Sequence, residues 1–249
     1  MGLLNYTTKA QLYEAVDGIR SRLNISFANY PIDPFDIADI CGDKLDLEYH
    51  FFNSNKIGGL LVKNDWPQAS CIVLNARKEP QAQRFDCAHE LIHYFLHPTN
   101  RRYMCETLKS QCSPFEYQAN EGAAELLMPH KLFIPELLSL CDEGLVKNQV
   151  LEYLSKRYGL SRTAISYRIN GLSYEIGQVM RGQSLNELHI SSRSRQRRKG
   201  IASYDFESIA EQARAKPHCG KTSCCLNMKN TKTNYHGAGF TKLTTMDTR

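Results

Sequence analysis

The feature that most limits how this chain can fold is a pair of histidines inside a strongly helical stretch. Apolar residues recur at helical spacing from Gln81 to His97, and Pro98 ends the pattern. Within it, His89 and His93 belong to the sequence HELIH, an HExxH pattern. Residues four apart lie on one face of an α-helix, so both imidazoles can reach a single metal ion. On a helical wheel both histidines border the apolar face, which predicts a shielded metal site.

The residue between the histidines suggests the chemistry. Two imidazoles and a carboxylate are a ligand set typical of zinc, which lowers the pKa of a bound water from about 15.7 toward about 7. Glu90 would lie beside the metal and is predicted to act as the general base. The alternative is that His89 and His93 are partly buried core histidines without a metal.

A second helical stretch, Ser113–Met128, offers the third ligand that such a site needs. On its wheel Glu116 and Asn120 border the apolar face, whereas Glu121 and Glu125 are predicted to face solvent. Glu116 is therefore the predicted third metal ligand, and Asn120 the partner that orients one of the histidines. The alternative is that Glu116 completes a capping box at the start of this helix.

Before the first motif, short strand-like segments are separated by Asn, Gly, Asp and Pro. These segments are Leu45–Phe52, Gly58–Val62 and Ala69–Leu74. Such spacing predicts a small antiparallel meander. Together with the helices, it predicts an α+β fold.

Two segments resemble the ImmA/IrrE metallopeptidases: RFDCAHELIHYFLH (Arg84–His97) and EYQANEGAAELLMP (Glu116–Pro129). The resemblance covers about residues 10–172. It implies a zincin-like metallopeptidase domain over residues 1–174, with a small antiparallel sheet, the HExxH helix and a third-ligand helix. It also implies zinc as the cofactor and Glu90 as the general base. The metal ligands that it implies are His89, His93 and Glu116.

The same resemblance implies a partner. Family members activate genes by cutting a repressor of the helix-turn-helix class, often one of a phage or mobile element, so a repressor of this kind is the expected protein substrate. The strand Ser70–Asn75 is similar to the edge strand along which a substrate peptide would lie. Two positions depart from the family pattern: Ile92 stands where Gly is usual, and Gly122 where Phe is usual. If the two helices touch there, the exchange of large and small residues compensates.

Helix-turn-helix-like helices are predicted over residues 147–172, with Gly159 at the turn. As a DNA reader this segment would present outward side chains, namely Arg162, Thr163, Ser166 and Arg168. The favoured interpretation is that the pair packs on the peptidase core. Two other functions therefore stay open: a DNA-binding regulator, or a non-catalytic module that binds its repressor, each with a vestigial zinc site.

The last part of the chain differs in charge. Residues 175–249 contain 13 Lys and Arg against 6 Asp and Glu, whereas the rest of the chain holds 18 against 20. This segment is predicted to be a basic, weakly ordered tail. Its Cys and His residues leave open a second metal site (His218, Cys219, Cys224, Cys225 and His236). No secretory signal and no membrane span are recognisable, so the expected location is the cytoplasm.

Overall fold

The structure is a computed structural model that describes residues 8–64, 68–98, 102–106 and 114–215. Its α-helices are α1 (Lys9–Arg22), α2 (Pro34–Ile40), α3 (Pro80–Leu96), α4 (Pro114–Leu127), α5 (His130–Asp142), α6 (Lys147–Tyr158), α7 (Arg162–Gly171), α8 (Ser173–Met180), α9 (Arg193–Arg198) and α10 (Phe206–Ala215). Its strands are β1 (Leu45–His50), β2 (Ile57–Val62), β3 (Ser70–Asn75) and β4 (Arg102–Glu106). Among the described residues, no helix is both long and apolar enough to cross a membrane.

The four strands form one sheet in the order β1-β3-β2-β4. β2 pairs antiparallel with both β3 and β4, as expected for a meander, but β1 pairs parallel with β3. The sheet is therefore mixed, and the prediction of a purely antiparallel one is wrong. The prediction that Ser70–Asn75 is an edge strand is also wrong, because β1 and β2 flank it. An apolar pattern indicates which face of a strand is buried, but it does not say which strand becomes its neighbour.

Helices α3 and α4 pack against each other, and α3 also packs against β2 and β3. Leu61, Ile72 and Leu74 of the sheet are fully buried, as are Leu91 and Ile92 of α3. On its other side α4 packs against α1. The α+β class is confirmed, and α4 is enclosed on two sides rather than one.

Residues 175–215 belong to the same compact unit as the helices before them. Helix α10 packs against α5 and α8, and it buries Phe206 and Ile209. The described chain up to Ala215 belongs to one compact unit, so the predicted domain boundary at residue 174 is wrong. Net charge summed over a long segment conceals short apolar faces, and α10 carries such a face. The Cys and His residues from His218 to His236 lie outside the described residues.

Candidate metal centre

Helix α3 carries the two histidines, as predicted, and turns both toward one point. His89 and His93 are 1% and 0% exposed. Their Nε2 atoms lie 3.1 Å apart, and their ring centroids lie 4.9 Å apart. The one-turn spacing of HExxH thus brings two ring nitrogens together in a buried place.

Glu116 of α4 completes the cluster. Its Oε2 lies 3.2 Å from Nε2 of His89, and its Oε1 lies 3.4 Å from Nε2 of His93. One ligand atom from each of the three residues lies within 4.8 Å of the other two. Ligands about 2.0–2.1 Å from a tetrahedral ion are separated by about 3.3 Å. The observed separations match that value, so the three side chains fit a small tetrahedral metal ion.

Glu90 is buried without a partner for its charge. It is 0% exposed, and neither carboxylate oxygen has a hydrogen-bond partner in the part of the chain that the structure describes. Burial, reinforced by the carboxylates of Glu116 and Asp86 and opposed by His89, raises the pKa of Glu90 to about 8. Buried carboxylates are normally hydrogen-bonded or paired, and unpaired ones with shifted pKa values concentrate at functional sites.

Two glycines of β2 allow the sheet to lie close to α3. A Cβ atom on Gly59 would lie 3.2 Å from Cγ and from Oε1 of Glu90, and one on Gly58 would lie 2.6 Å from Cγ of Asp86. A side chain at either position would therefore require the facing side chain of α3 to shift. Sequence reasoning did not include the pair in the site, although two adjacent glycines in a strand indicate a close approach of backbone.

Asn120 lies where it was predicted to act. Its Oδ1 is 3.1 Å from Nδ1 of His89, so Nδ1–H donates to the amide oxygen and Nε2 keeps a lone pair directed at the cluster. Burial lowers the pKa of His93 to about 4, which keeps that imidazole neutral at neutral pH. Neutral imidazoles are the form that binds a metal.

The prediction that Glu121 and Glu125 face solvent is wrong. Glu125 is fully buried, and it pairs with Arg168 and with His130, whose Nδ1 lies 2.9 Å from Oε1. Glu121 accepts a 2.6 Å hydrogen bond from the hydroxyl of Tyr13. The wheel assumed a single buried face, whereas α4 buries a second, charged face against α1 and α7. Neither glutamate belongs to the metal cluster.

The helix-turn-helix-like pair forms as predicted, but its cations are engaged with the protein. Arg168, expected to point outward, is 3% exposed and donates to the Met128 carbonyl oxygen. Arg162 is exposed and forms an ion pair with Glu152. Of the two arginines expected to contact DNA, Arg168 is therefore part of the core and Arg162 is paired with a glutamate on the surface.

The model of the IrrE N-terminal-like domain, a peptidase family, matches residues 44–170. This range is just over half of the chain. The chain belongs to this family. No curated protein matches the sequence. The match includes α3 and α4, the two helices that contribute the His-His-Glu cluster.

Membership of the IrrE-like family agrees with the architecture described above. The α+β zincin-like fold and the resemblance to ImmA/IrrE proteins are thereby confirmed. The chain is a member of a peptidase family with a cluster, His89, His93 and Glu116, that could hold a metal ion.

Proposed function

We propose that this protein is a zinc-dependent endopeptidase. One observation carries the proposal: the buried, unpartnered carboxylate of Glu90 lies next to a converging set of two imidazoles and a carboxylate. A purely structural role would leave both of its buried oxygens without a hydrogen bond among the described residues, at a cost of about 1–3 kcal/mol for an unsatisfied buried polar group. A catalytic role explains both its burial and the absence of a fixed partner.

Zinc is the metal that we assign to the site, with His89, His93 and Glu116 as ligands. The donor set favours zinc over magnesium or calcium, which prefer oxygen ligands. Three protein ligands leave a fourth position open, as in catalytic zinc sites. When bound, zinc would polarise the scissile carbonyl and lower the pKa of water to about 7.

Glu90 is the residue to which we assign proton transfer. A cation held by the neighbouring ligands would favour its ionised form, because a nearby opposite charge lowers the pKa of a carboxyl group. The carboxylate then takes a proton from the attacking water and passes it to the leaving amine. Gly59 supports this role, because it lets β2 cover Glu90 without a side chain filling the space.

The substrate that we propose is a helix-turn-helix repressor, so that cleavage relieves repression, as the likeness to ImmA/IrrE proteins implies. The edge strands are β1 and β4. We place the substrate backbone at β4, because its neighbour β2 lies over Glu90. Addition of an extended peptide to an edge strand provides backbone hydrogen bonds without demanding one sequence.

The test is co-expression of the chain with the repressor encoded beside its gene, followed by detection of cleavage. Cleavage should require zinc and stop when a chelator removes it. Glu90→Gln should keep zinc, because all three ligands remain, and should lose about 10²- to 10⁴-fold in rate. Glu152→Gln, which changes a partly exposed carboxylate of α6, is the matched control and should cleave normally.

Other outcomes would support other functions. An equimolar, uncleaved complex with the repressor in the presence of zinc would favour a non-catalytic binding module. Salt-sensitive binding of duplex DNA by the metal-free protein would favour a DNA-binding regulator. Cleavage by Glu90→Gln at the normal rate would refute the role of Glu90.

A further inference from the structure

A third histidine, outside the metal cluster, lies at the C-terminal end of α3, four residues after the ligand His93. His97 follows the last residue of the helix and is 3% exposed. Its Nδ1 is 2.7 Å from Nδ1 of His93, and its Nε2 is 3.0 Å from Oε1 of Gln118. His97 therefore bridges a ligand on α3 and an amide on α4.

The direction of these hydrogen bonds follows from the groups at each end. An amide oxygen only accepts, so Nε2 of His97 carries the proton that it donates to Gln118. In a neutral imidazole the other nitrogen then has a lone pair, and Nδ1 of His97 accepts from Nδ1–H of His93. Since Nδ1 of His93 carries the proton, its Nε2 keeps a lone pair. That Nε2 is the atom that lies 3.1 Å from Nε2 of His89 and 3.4 Å from Glu116.

His97 is held in place independently of the metal cluster. The ammonium group of Lys63 donates to its carbonyl oxygen, and the ring of Phe115 lies 4.9 Å from its ring. Helix α4 thus contributes one side chain to each role: Glu116 to the cluster, Asn120 to His89, and Gln118 through His97 to His93. The two imidazole ligands are oriented by two amides of the same helix, one directly and one through an intervening ring.

We propose that His97 and Gln118 are positioning residues, which fix His93 as its Nδ1–H tautomer so that Nε2 is available to the metal. This inference rests on the metal site of the proposed function, but it does not require that any peptide is cut. Without the relay, His93 could carry its proton on Nε2, and metal binding would first have to move that proton. Outer partners of this kind typically change metal affinity by about 10- to 100-fold.

Zinc affinity of the full-length chain, measured by competition with a chromophoric chelator, tests the relay. His97→Leu removes the acceptor and should weaken zinc binding about 10- to 100-fold. His97→Asn should restore affinity to within a few-fold of the wild type, because its amide oxygen can accept from Nδ1–H of His93. Gln118→Leu should weaken binding, whereas Gln178→Leu, at a buried glutamine bonded to the His189 backbone, is the matched control and should not.

Nitrogen-15 NMR of labelled histidine reads the tautomer directly. In the metal-free wild type we expect the proton of His93 on Nδ1 and that of His97 on Nε2, and in His97→Leu a shift of His93 toward Nε2–H. A wild type with His93 protonated on Nε2 would overturn the inference, as would equal loss of affinity in His97→Leu and His97→Asn. Failure of the wild type to bind zinc would instead refute the metal site of the proposed function.

Discussion

The glutamates of α4 differ in role although they share one helix. Glu116 meets the imidazoles of His89 and His93, whereas Glu125 meets the guanidinium of Arg168 and the ring of His130. Position on a wheel separated them correctly, because Glu116 alone borders the face toward α3. The wheel did not show that the opposite face is also buried, since that depends on cations far away in the chain.

The first prediction at this scale concerns Glu116. Glu116→Ala should weaken zinc binding by more than the loss of about 10- to 100-fold that is typical when a residue orienting a ligand is removed, because it removes a proposed ligand itself. Zinc affinity measured by chelator competition checks it. Glu143→Ala, at an exposed glutamate directly after α5, should bind zinc like the wild type. Unchanged affinity of Glu116→Ala would exclude Glu116 from the ligand set.

The second prediction concerns acid stability and Glu125. Burial alone would raise its pKa, but Arg168 and His130 outweigh burial and lower the pKa to about 2. Because the pKa is lower in the folded than in the unfolded protein, the stabilisation is present above the unfolded value of about 4.3. It should be lost as the pH falls from there to about 2, by up to about 1.4 kcal/mol per pH unit.

Urea unfolding at a series of pH values measures this loss. Glu125→Gln should be less stable overall, because Arg168 loses its partner, and its stability should depend less on pH between about 4.3 and about 2. Glu14→Gln, at an exposed position of α1, should keep the pH dependence of the wild type. An equally steep loss in Glu125→Gln would mean that other groups cause it.

At the scale of elements, α3 and α4 touch at Ile92 and Gly122, the two positions expected to depart from the family pattern. A Cβ atom on Gly122 would lie 3.1 Å from Cγ2 of Ile92. The helices touch where the sequence has exchanged a small residue for a large one and a large one for a small one. The side chain of Ile92 therefore fills the space that a side chain at position 122 would need.

A double-mutant cycle should reveal this exchange. Gly122→Phe alone should destabilise the protein by about 1–3 kcal/mol or more through overpacking. Ile92→Gly alone should also destabilise it, by leaving a cavity and a helical glycine. The double variant should be more stable than the sum of the two losses predicts, measured by urea unfolding. Gly18→Phe, at an exposed helical glycine with open space around it, should cost less than Gly122→Phe. Strict additivity would show that the positions do not share space.

Helices that are defined by a local sequence pattern were predictable from the sequence. Helices α3 and α4 were expected within about a residue of their observed ends, because apolar spacing and prolines define them. Helix α5 was not expected, since Pro135 lies inside it and a proline normally argues against a helix interior.

The parallel pairing of β1 with β3 was missed because strand order depends on the whole sheet. The His-His-Glu set was predictable from faces of helices, whereas the role of His97 depends on a contact with α4.

At the scale of the whole molecule, the change in charge near residue 174 does not mark a domain boundary. Lys9 of α1 donates to the Gly171 carbonyl oxygen at 2.8 Å and pairs with the buried Glu175. Glu175 in turn accepts a 3.0 Å hydrogen bond from the backbone of Ser191. The basic helix α9 follows directly, so the cationic segment is attached to the core by buried polar contacts.

Truncation tests this boundary. A chain that ends at Tyr174 should be unstable or insoluble, because it exposes the surface that α8 and α10 cover and leaves Lys9 without Glu175. A chain that ends at Lys216 should fold and bind zinc like the full chain, since the described compact unit is kept. Thermal unfolding and zinc binding of both proteins measure this difference. A stable, zinc-binding protein ending at Tyr174 would restore the earlier boundary.

The ion pairs of Glu125 also determine when the site can form during synthesis. Its partner Arg168 lies 43 residues further along the chain. A nascent chain that ends earlier would have to bury this carboxylate with Arg20 and His130 but without the cation that lies closest to it, which would weaken the packing of α4. Helix α4 should therefore be held firmly beside α3, with Glu116 at the histidines, once Arg168 has left the ribosome. The proposed peptidase would thus complete its metal cluster late, when most of its own chain has already been made.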